Sequence, residues 1–341
     1  MKQTINDKTI NEIEDIFTDL GFQKFRAKQV YRQIHVNKIN DFEQMTDLPK
    51  DMREKLTEDF EIQKVNLLET YASKIDSTKK YLFELNDGNI IEAVFMEYDD
   101  RKTICISSQV GCRMGCTFCA STKNGLVRHL SAAEIIDEVY ELERLNGDIN
   151  NIVIMGIGEP LDNFKNITKF IEIITDEKGR NLSHRSITLS TSGLTPKIYE
   201  LADTSLDVNL AVSLHYATDE QRKEYMPVAR KYNINGLLKA TDYYLDKTKR
   251  RVSFEYVVID GVNNREIDVE NLTKLMRGKN IHINLIPLNP IEEFKHGKTS
   301  KKVINDFKDK LTRNGLNATI RYSMGQDIDA SCGQLRNNYA R

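Results

Sequence analysis

This sequence lacks most of what would mark an exported or membrane-bound protein. No stretch approaches the roughly 18 consecutive apolar residues needed to span a bilayer, and residues 1–19 are too polar for a signal sequence. Cysteine is scarce. Only five occur in 341 residues, four of them within 105–119, which is not the disulfide framework of a secreted domain. An excess of positive charge is also missing. Lys+Arg at 49 against Asp+Glu at 51 leaves a net charge of −2, so any nucleic-acid contact must use local patches. No internal repeat or low-complexity tract is evident. These absences describe a cytoplasmic globular chain in a reducing compartment, with no membrane partner and with 40% hydrophobic residues for a core.

What is present centres on Cys112, Cys116 and Cys119, spaced C-x3-C-x2-C after a strand-like run at 103–106 and before an expected helix. Spacings of three and four are about one helical turn, so a tight loop can turn all three sulfurs inward. Thiolates suit zinc or an iron–sulfur cluster. A structural zinc usually takes four ligands. No second C-x2-C pair occurs, and a zinc site would need a partner such as His129. Three cysteines instead leave one iron of a [4Fe–4S] cube open. This motif at the end of a first strand resembles the radical S-adenosylmethionine (SAM) superfamily, in which that iron binds SAM. The resemblance implies Cys112, Cys116 and Cys119 as cluster ligands.

Around this stretch the pattern changes twice. Residues 5–60 read as helices, with Ile10, Ile13, Ile16, Phe17 and Leu20 on one face over 6–20 and a second helix over 25–37. Lys24, Arg26, Lys28, Arg32 and Lys38 give these helices a basic face, ordinary solvated charge one by one but a plausible phosphate-tracking group together. Residues 61–98 are β-like, with Asn86-Asp87-Gly88 as a turn, and are expected to form a short linking β-sheet. From about 101 strands and helices alternate. Strands are expected at 103–107, 152–155, 186–190, 208–214, 252–259 and 281–288, with an added strand at 318–322. Ser131 and Glu134 form a capping box, and Thr195-Pro196 a cap with an N1 proline. Six units argue for an α/β fold, a partial (βα)6 TIM-like barrel with its chemistry at the C-terminal strand ends. The expected organisation is an N-terminal helical accessory domain over 1–60, a β linker over 61–100, the barrel core over 101–322, and a C-terminal loop and tail over 323–341.

Each expected strand end carries polar or glycine residues. Gly156-Ile157-Gly158-Glu159-Pro160 is not a dinucleotide loop, because Leu161 stands where a third glycine belongs and Pro160 blocks close helix approach. In radical SAM enzymes such a turn lies along the SAM amino group, with Gly158 allowing close backbone approach and Glu159 accepting hydrogen bonds. Ser190, then Ser213, Leu214 and His215, are expected at the SAM carboxylate and ribose, and Asn289 at the ribose hydroxyls. The alternatives are a helix cap for Ser190 and a satisfied core histidine for His215.

Gly325-Gln326-Asp327-Ile328-Asp329-Ala330-Ser331-Cys332-Gly333-Gln334 puts a cysteine on a glycine-flanked polar loop, unlike the usual buried cysteine. Cys105 lies in the first core strand, and two further cysteines reaching one cavity suggest redox chemistry. With Phe25-Arg26-Ala27-Lys28-Gln29, Ser108-Gln109-Val110-Gly111-Cys112, Gly158-Glu159-Pro160-Leu161, Ser213-Leu214-His215 and Asn284-Leu285-Ile286-Pro287, these residues resemble the RlmN/Cfr family of radical SAM RNA adenine methyltransferases over nearly the whole chain.

The resemblance implies a two-stage reaction. Cys332 takes a methyl group from one SAM by displacement. A second SAM yields a 5′-deoxyadenosyl radical that abstracts hydrogen from the S-methyl group, whose carbon then adds to adenine. Glu92 matches the base that removes the ring proton; its alternative is a solvent-facing strand residue. Cys105 attacks Cys332, forming a disulfide and releasing methylated RNA. The implied partners are 23S rRNA, tRNA and an electron donor such as flavodoxin or ferredoxin, acting on a monomer. Val110 and Pro160 resemble the RlmN branch, which methylates adenine C2 in the peptidyl transferase centre and 3′ of some tRNA anticodons. The Cfr branch methylates C8. Ser331 and Val228-Ala229 depart from the usual pattern without touching a motif residue. A radical SAM protein activase would leave Cys105 and Cys332 unexplained. RNA contact is expected from the basic helices together with Lys247, Lys249, Arg250, Arg251, Lys295, Lys298, Lys301 and Lys302.

Overall fold

The structure, a computed structural model, describes residues 2–279 and 281–336. Residues 337–341 of the expected tail lie outside the described residues.

The N-terminal helices form where apolar spacing and caps coincide. Strand β1 (Gln3–Thr4) leads to α1 (Ile10–Asp19), opened by a capping box between Thr9 and Glu12. Then come α2 (Lys24–His35), α3 (Lys50–Asp59) and β2 (Phe60–Glu61), which pairs parallel with β1. Ile13, Phe17, Val30, Ile34 and Leu56 meet in a core of their own. This unit is fastened to the rest mainly by polar contacts. Tyr31 Oη donates to Asp176 Oδ2 at 2.8 Å, and Lys38 Nζ lies 3.0 Å from Glu143 and 2.9 Å from Asp148. Lys38 is therefore committed to an ion-pair group, while Lys24, Lys28 and Arg32 stay exposed along one face of α2.

The remaining strands are β3 (Asn66–Ala72), β4 (Lys79–Glu84), β5 (Ile90–Glu97), β6 (Lys102–Cys105), β7 (Gln109–Gly111), β8 (Leu126–His129), β9 (Asn151–Ile154), β10 (Ile187–Thr191), β11 (Asn209–Ser213), β12 (Val252–Val258), β13 (His282–Pro287) and β14 (Asn317–Ile320). Between them lie α4 (Ala132–Asn146), α5 (Phe164–Thr175), α6 (Thr195–Ala202), α7 (Asp219–Tyr225), α8 (Ile234–Thr248), α9 (Glu266–Met276) and α10 (Lys301–Arg313). Among the described residues one 10-stranded sheet runs β14-β13-β12-β11-β10-β9-β6-β5-β4-β3. From β6 to β14 all pairs are parallel, with helices on the outside, which is the expected partial barrel plus its added strand.

Two local expectations change. Strands β3 to β5 are not a separate linking sheet: β5 pairs antiparallel with β6, Val94 opposite Cys105, so they extend the barrel sheet. This brings Glu92, Val94 and Met96 onto the face that carries Cys105, while Ile91, Ala93 and Phe95 pack into the main core. The second change follows the cysteine motif, where no helix forms at once. A 3-10 turn at Ala120–Thr122 leads to β8, which pairs with β7, and α4 starts only at Ala132 behind its Ser131–Glu134 capping box. Gly111, Gly115 and Gly125 hold positive φ there, which a helix does not allow. At α6 the cap also differs: Thr195 is already helical and Leu194 precedes it, with no side-chain cap.

Candidate active site

The C-terminal ends of the parallel strands surround an open cavity. Its floor is the cysteine loop. Backbone bonds fix that loop from three directions: Cys112 N donates to Gly125 O, Thr117 N to Tyr225 O, and Ala120 N to Gly333 O at 2.8 Å. Cys112, Cys116 and Cys119 all line the cavity. Burial pushes the Cys116 thiol up to about 12 and raises Cys112 and Cys119 too. Each keeps its proton until a metal displaces it.

Gln109 ties this loop to the strand β9 turn. Its Oε1 accepts Glu159 N at 2.8 Å, and its Nε2 lies 2.9 Å from both Asp162 Oδ2 and His129 Nδ1. His129 is thus occupied beside the hairpin and does not line the cavity. The close approach that demands glycine at 158 is to the protein itself: at φ +118° a Cβ would fall 2.5 Å from Ser108 Oγ and 2.7 Å from Gln109 Cβ. Glu159 is buried, which raises its carboxyl, against hydrogen bonds that pull it down. Its Oε2 accepts Ser192 N at 2.7 Å and its Oε1 accepts Leu161 N. Glu159 thereby joins the β9 and β10 turns and still faces the cavity.

Ser190 and Ser213 line the wall, as does His215. Burial, then Arg222, push His215 down to about 3, so its ring is neutral, and its Nδ1 accepts Val257 N at 3.0 Å. Leu214 turns away into the core behind the sheet. Asn289 lines the cavity but already donates to Cys332 O at 3.1 Å. Three further residues join the site: Ser192, from the hydroxyl-rich Ser190-Thr191-Ser192-Gly193 strand end, and Glu255 and Arg222, which no local signal marks. Ser192 Oγ and Glu255 Oε2 are buried, unpartnered by hydrogen bonds and on cavity-lining residues. Beneath them Arg222, fully buried, donates to the carbonyls of Ser192, Ser213, Leu214 and Tyr232.

A second cavity adjoins the first, with Cys119, Arg321 and Cys332 in both walls. Cys105 lines it with Val94, Met96 and Leu335. Cys105 and Cys332 form no disulfide. Burial, then the neighbouring Cys332, push Cys105 up to about 12, while Arg321 acts the other way.

The Cys332 loop is held by side chains the motif had left unexplained. Asp327 accepts Ser73 Oγ and Lys74 N, both at 2.7 Å, and Asp76 Oδ2 accepts Gly325 N, so the β3–β4 turn clamps the loop base. Gly325 has φ +62°, and a Cβ there would meet Ala330 Cβ at 2.7 Å and Thr78 Cγ2 at 2.8 Å. Past the cysteine, Ser121 Oγ donates to Leu335 O, and Glu92 Oε2 accepts Arg336 N at 2.8 Å. Glu92 is not solvent-facing. It is 2% exposed, paired with Lys80 at 3.4 Å, and burial raises its carboxyl.

This donor set fits a [4Fe–4S] cluster with SAM. Three thiols face one space, and no group of three His, Cys, Asp or Glu among the described residues is drawn together around a single ion. The Ser192 hydroxyl and Glu255 Oε2 make no hydrogen bond within the protein, the latter facing Arg321 at 4.0 Å, and both can take a polar ligand beside the thiols.

Comparison with known proteins agrees. Residues 106–272 match the radical SAM superfamily, whose members use a [4Fe–4S] cluster and SAM, and residues 4–62 match the ribosomal RNA large subunit methyltransferase N-terminal domain. The chain is 49% identical to a probable dual-specificity RNA methyltransferase RlmN of Lachnoclostridium phytofermentans, over 99% of this chain and 95% of that one. It is 47% identical to the like-named protein of Clostridioides difficile, over 99% and 98%. A crystal structure of a radical SAM methyltransferase from Sphaerobacter thermophilus superposes with a TM-score of 0.93 at 40% identity, covering 98% of this chain and all of that one. With its cysteine loop, barrel and N-terminal helices all matched across full-length relatives, the chain belongs to the RlmN family of radical SAM RNA methyltransferases.

Proposed function

We propose that this enzyme methylates C2 of an adenine in the peptidyl transferase centre of 23S rRNA and of the adenosine 3′ of the anticodon in tRNA, using Cys332 as a methyl carrier. One observation carries the reading: Cys332 lines both the cavity of the three motif cysteines and the cavity of Cys105. A thiol at that junction can meet SAM on one side and a resolving thiol on the other.

When bound by Cys112, Cys116 and Cys119, the cluster supplies the electron that cleaves SAM to a 5′-deoxyadenosyl radical. The chain's own residues do the rest. Cys332, as thiolate, attacks the methyl carbon of a first SAM; its bond to that carbon forms as S-adenosylhomocysteine leaves. It then presents the S-methyl group for loss of one hydrogen atom and for carbon–carbon bonding to the base. Carbon–carbon bonding leaves an unpaired electron on the base, which is given back to the electron-donor couple as Glu92 takes the ring proton. Cys105, losing its own proton, attacks the Cys332 sulfur; the S–S bond forms as the sulfur–carbon bond breaks, and the released carbon takes up a proton to become the methyl group. Burial keeps Cys105 protonated at rest, so it must give up its proton before it can attack. Glu159, Ser190, Ser192, Ser213 and His215 line the SAM side, with Gly158 and Leu214 shaping the turns behind them. The exposed Lys24, Lys28 and Arg32 face is suited to RNA phosphates. The reading includes a flavodoxin- or ferredoxin-type electron donor and a cytoplasmic monomer. No helix among the described residues is long and apolar enough to cross a membrane. The Cfr-like C8 reaction is not favoured, because the curated relatives cited are dual-specificity RlmN proteins.

The test is mass spectrometry of nucleosides from unmodified 23S rRNA fragments and tRNA after reaction with reconstituted enzyme and SAM. 2-Methyladenosine is expected from the wild type and none from Cys332→Ala. 8-Methyladenosine, or product from Cys332→Ala, refutes the proposal.

A further inference from the structure

We propose that Lys80 is a positioning residue for the reaction, the fixed cation that keeps Glu92 a carboxylate when the substrate proton must be taken. The inference rests on the reading of Glu92 as the base.

Lys80 is 8% exposed on β4, an uncommon place for a lysine without a partner. Register explains the pair. Lys80 stands opposite Val94 and Leu82 opposite Glu92, so Lys80 and Glu92 are diagonal neighbours on the inner face of the sheet. Lys80 Nζ lies 3.4 Å from Glu92 Oε1 and 5.3 Å above the Tyr71 ring of β3. Glu92 Oε2 has a different partner, Arg336 N, at 2.8 Å. The Arg336 guanidinium points elsewhere, to Glu293, and Asp329 adds negative charge from the loop.

The two partners differ in what they are attached to. Arg336 is four residues beyond Cys332, so its N–H travels with the reacting thiol. Lys80 belongs to the interior of the sheet and does not. A carboxylate in a dry site tends to take up a proton, and a protonated Glu92 is no base. If the Cys332 loop shifts to present its methyl group to RNA, Lys80 is the partner that stays. Its charge opposes both burial and Asp329, and leaves Glu92 ionised but basic enough to act. After proton transfer the neutral carboxyl still faces the ammonium, which favours handing the proton on and resets the site.

The experiment compares Lys80→Met, Lys80→Arg and Glu92→Gln across pH, reading S-methylation of Cys332 by peptide mass, covalent protein–RNA adduct by denaturing gel, and turnover. Methyl transfer to Cys332 does not use the base, so Lys80→Met should methylate Cys332 normally. It should then stall as adduct at pH 7. Removing the cation raises the carboxyl, so the acidic limb of turnover should move up by about 1–3 pH units, roughly a tenfold or greater loss at pH 7 recovered in alkali. Lys80→Arg should keep the wild-type limb. A wild-type limb and no adduct in Lys80→Met overturns the proposal. So does loss of Cys332 methylation in that variant, which would put the lysine in the fold or in an earlier step. Glu92→Gln judges the underlying reading separately: adduct at every pH supports the base, and free turnover removes it whatever Lys80 does.

Discussion

Arg222 is the side chain whose loss should do most damage beneath the cavity wall formed by Ser192 and Ser213. It is 0% exposed and has no carboxylate among its hydrogen-bond partners. Its Nη2 donates to Ser192 O at 2.6 Å and Ser213 O at 3.2 Å, its Nε to Leu214 O at 3.3 Å, and its Nη1 to Tyr232 O at 3.3 Å. Strand ends β10 and β11 are thereby tied together by one planar fork. Hydrogen bonds to charged groups contribute about 1.5–3 kcal/mol each. With three of the four long, about 6 kcal/mol is a fair total. Burial opposes this by pushing Arg222 down from 12.5 to about 10, a penalty of about 3 kcal/mol. Arg222→Met removes both, leaving a net destabilisation of about 3 kcal/mol and carbonyls without donors. Lys has one compact head that cannot reach four carbonyls, so Arg222→Lys should fall between. Urea unfolding gives the stability, and equilibrium dialysis of reconstituted protein gives SAM affinity, expected to weaken as Ser192 and Ser213 lose their anchor. An Arg222→Met protein within about 1 kcal/mol of wild type would refute the reasoning, since that is the range of an ordinary surface change.

Two further outcomes follow from backbone shape and buried charge. Gly325→Ala combines a left-handed backbone cost of about 1–2 kcal/mol with overpacking against Thr78 and Ala330 of about 1–3 kcal/mol, and should lower S-methylation of Cys332 by shifting its loop. Gly88→Ala has a similar φ of +81° but open space around it, so only the backbone cost should appear, with normal methylation; equal loss in both would refute the packing argument. His35, between α2 and α4, is pushed down to about 3 by burial. The unfolded chain takes its proton near 6.5 while the folded chain does not, so stability is full above 6.5 and falls with pH toward 3. The slope is about 1.4 kcal/mol per pH unit, or about 2 kcal/mol between pH 6.5 and 5, and His35→Gln should lose that contribution in urea titrations at the two pH values.

Local signals in the sequence were reliable where local physics decides. The Ser131–Glu134 capping box, the Asn86-Asp87-Gly88 turn and the strand–helix alternation are set by neighbours a few residues apart, and each appears in the structure. The three motif cysteines were legible because their spacing is itself the signal. What was hidden depends on pairing across the fold. Nothing near Val94 announces that it will lie opposite Cys105, so the joining of β5 to the barrel, and with it the burial of Glu92, could not be read. Arg222 sits in Asp219–Tyr225, an acidic and basic segment that reads as a solvated helix face; only the fold turns it under the strand ends. Asp327 and Gly325 carried a family motif whose physical reason, the β3–β4 turn more than two hundred residues earlier, has no local trace.

The way the Cys332 loop is fastened bears on the proposed methyl-carrier role. In the proposed reaction its side chain would serve SAM, the base and Cys105 in turn, and a loop sunk in a hydrophobic core would be too firmly held for that. Ala330 and Leu335 do pack against Val94 and Met96, but Cys332 lies between them on backbone held by single hydrogen bonds: Asn289 to its carbonyl, Ala120 to Gly333, Glu92 to Arg336. Each such bond contributes about 1 kcal/mol net, enough together to fix one resting position and few enough to exchange when RNA enters. Two of these contacts report on chemistry. Ala120 follows the motif cysteine Cys119, and Glu92 is the base of the proposed reaction. In the proposed reaction the loop would therefore touch both the cluster side, through Ala120, and the proton-accepting side, through Glu92.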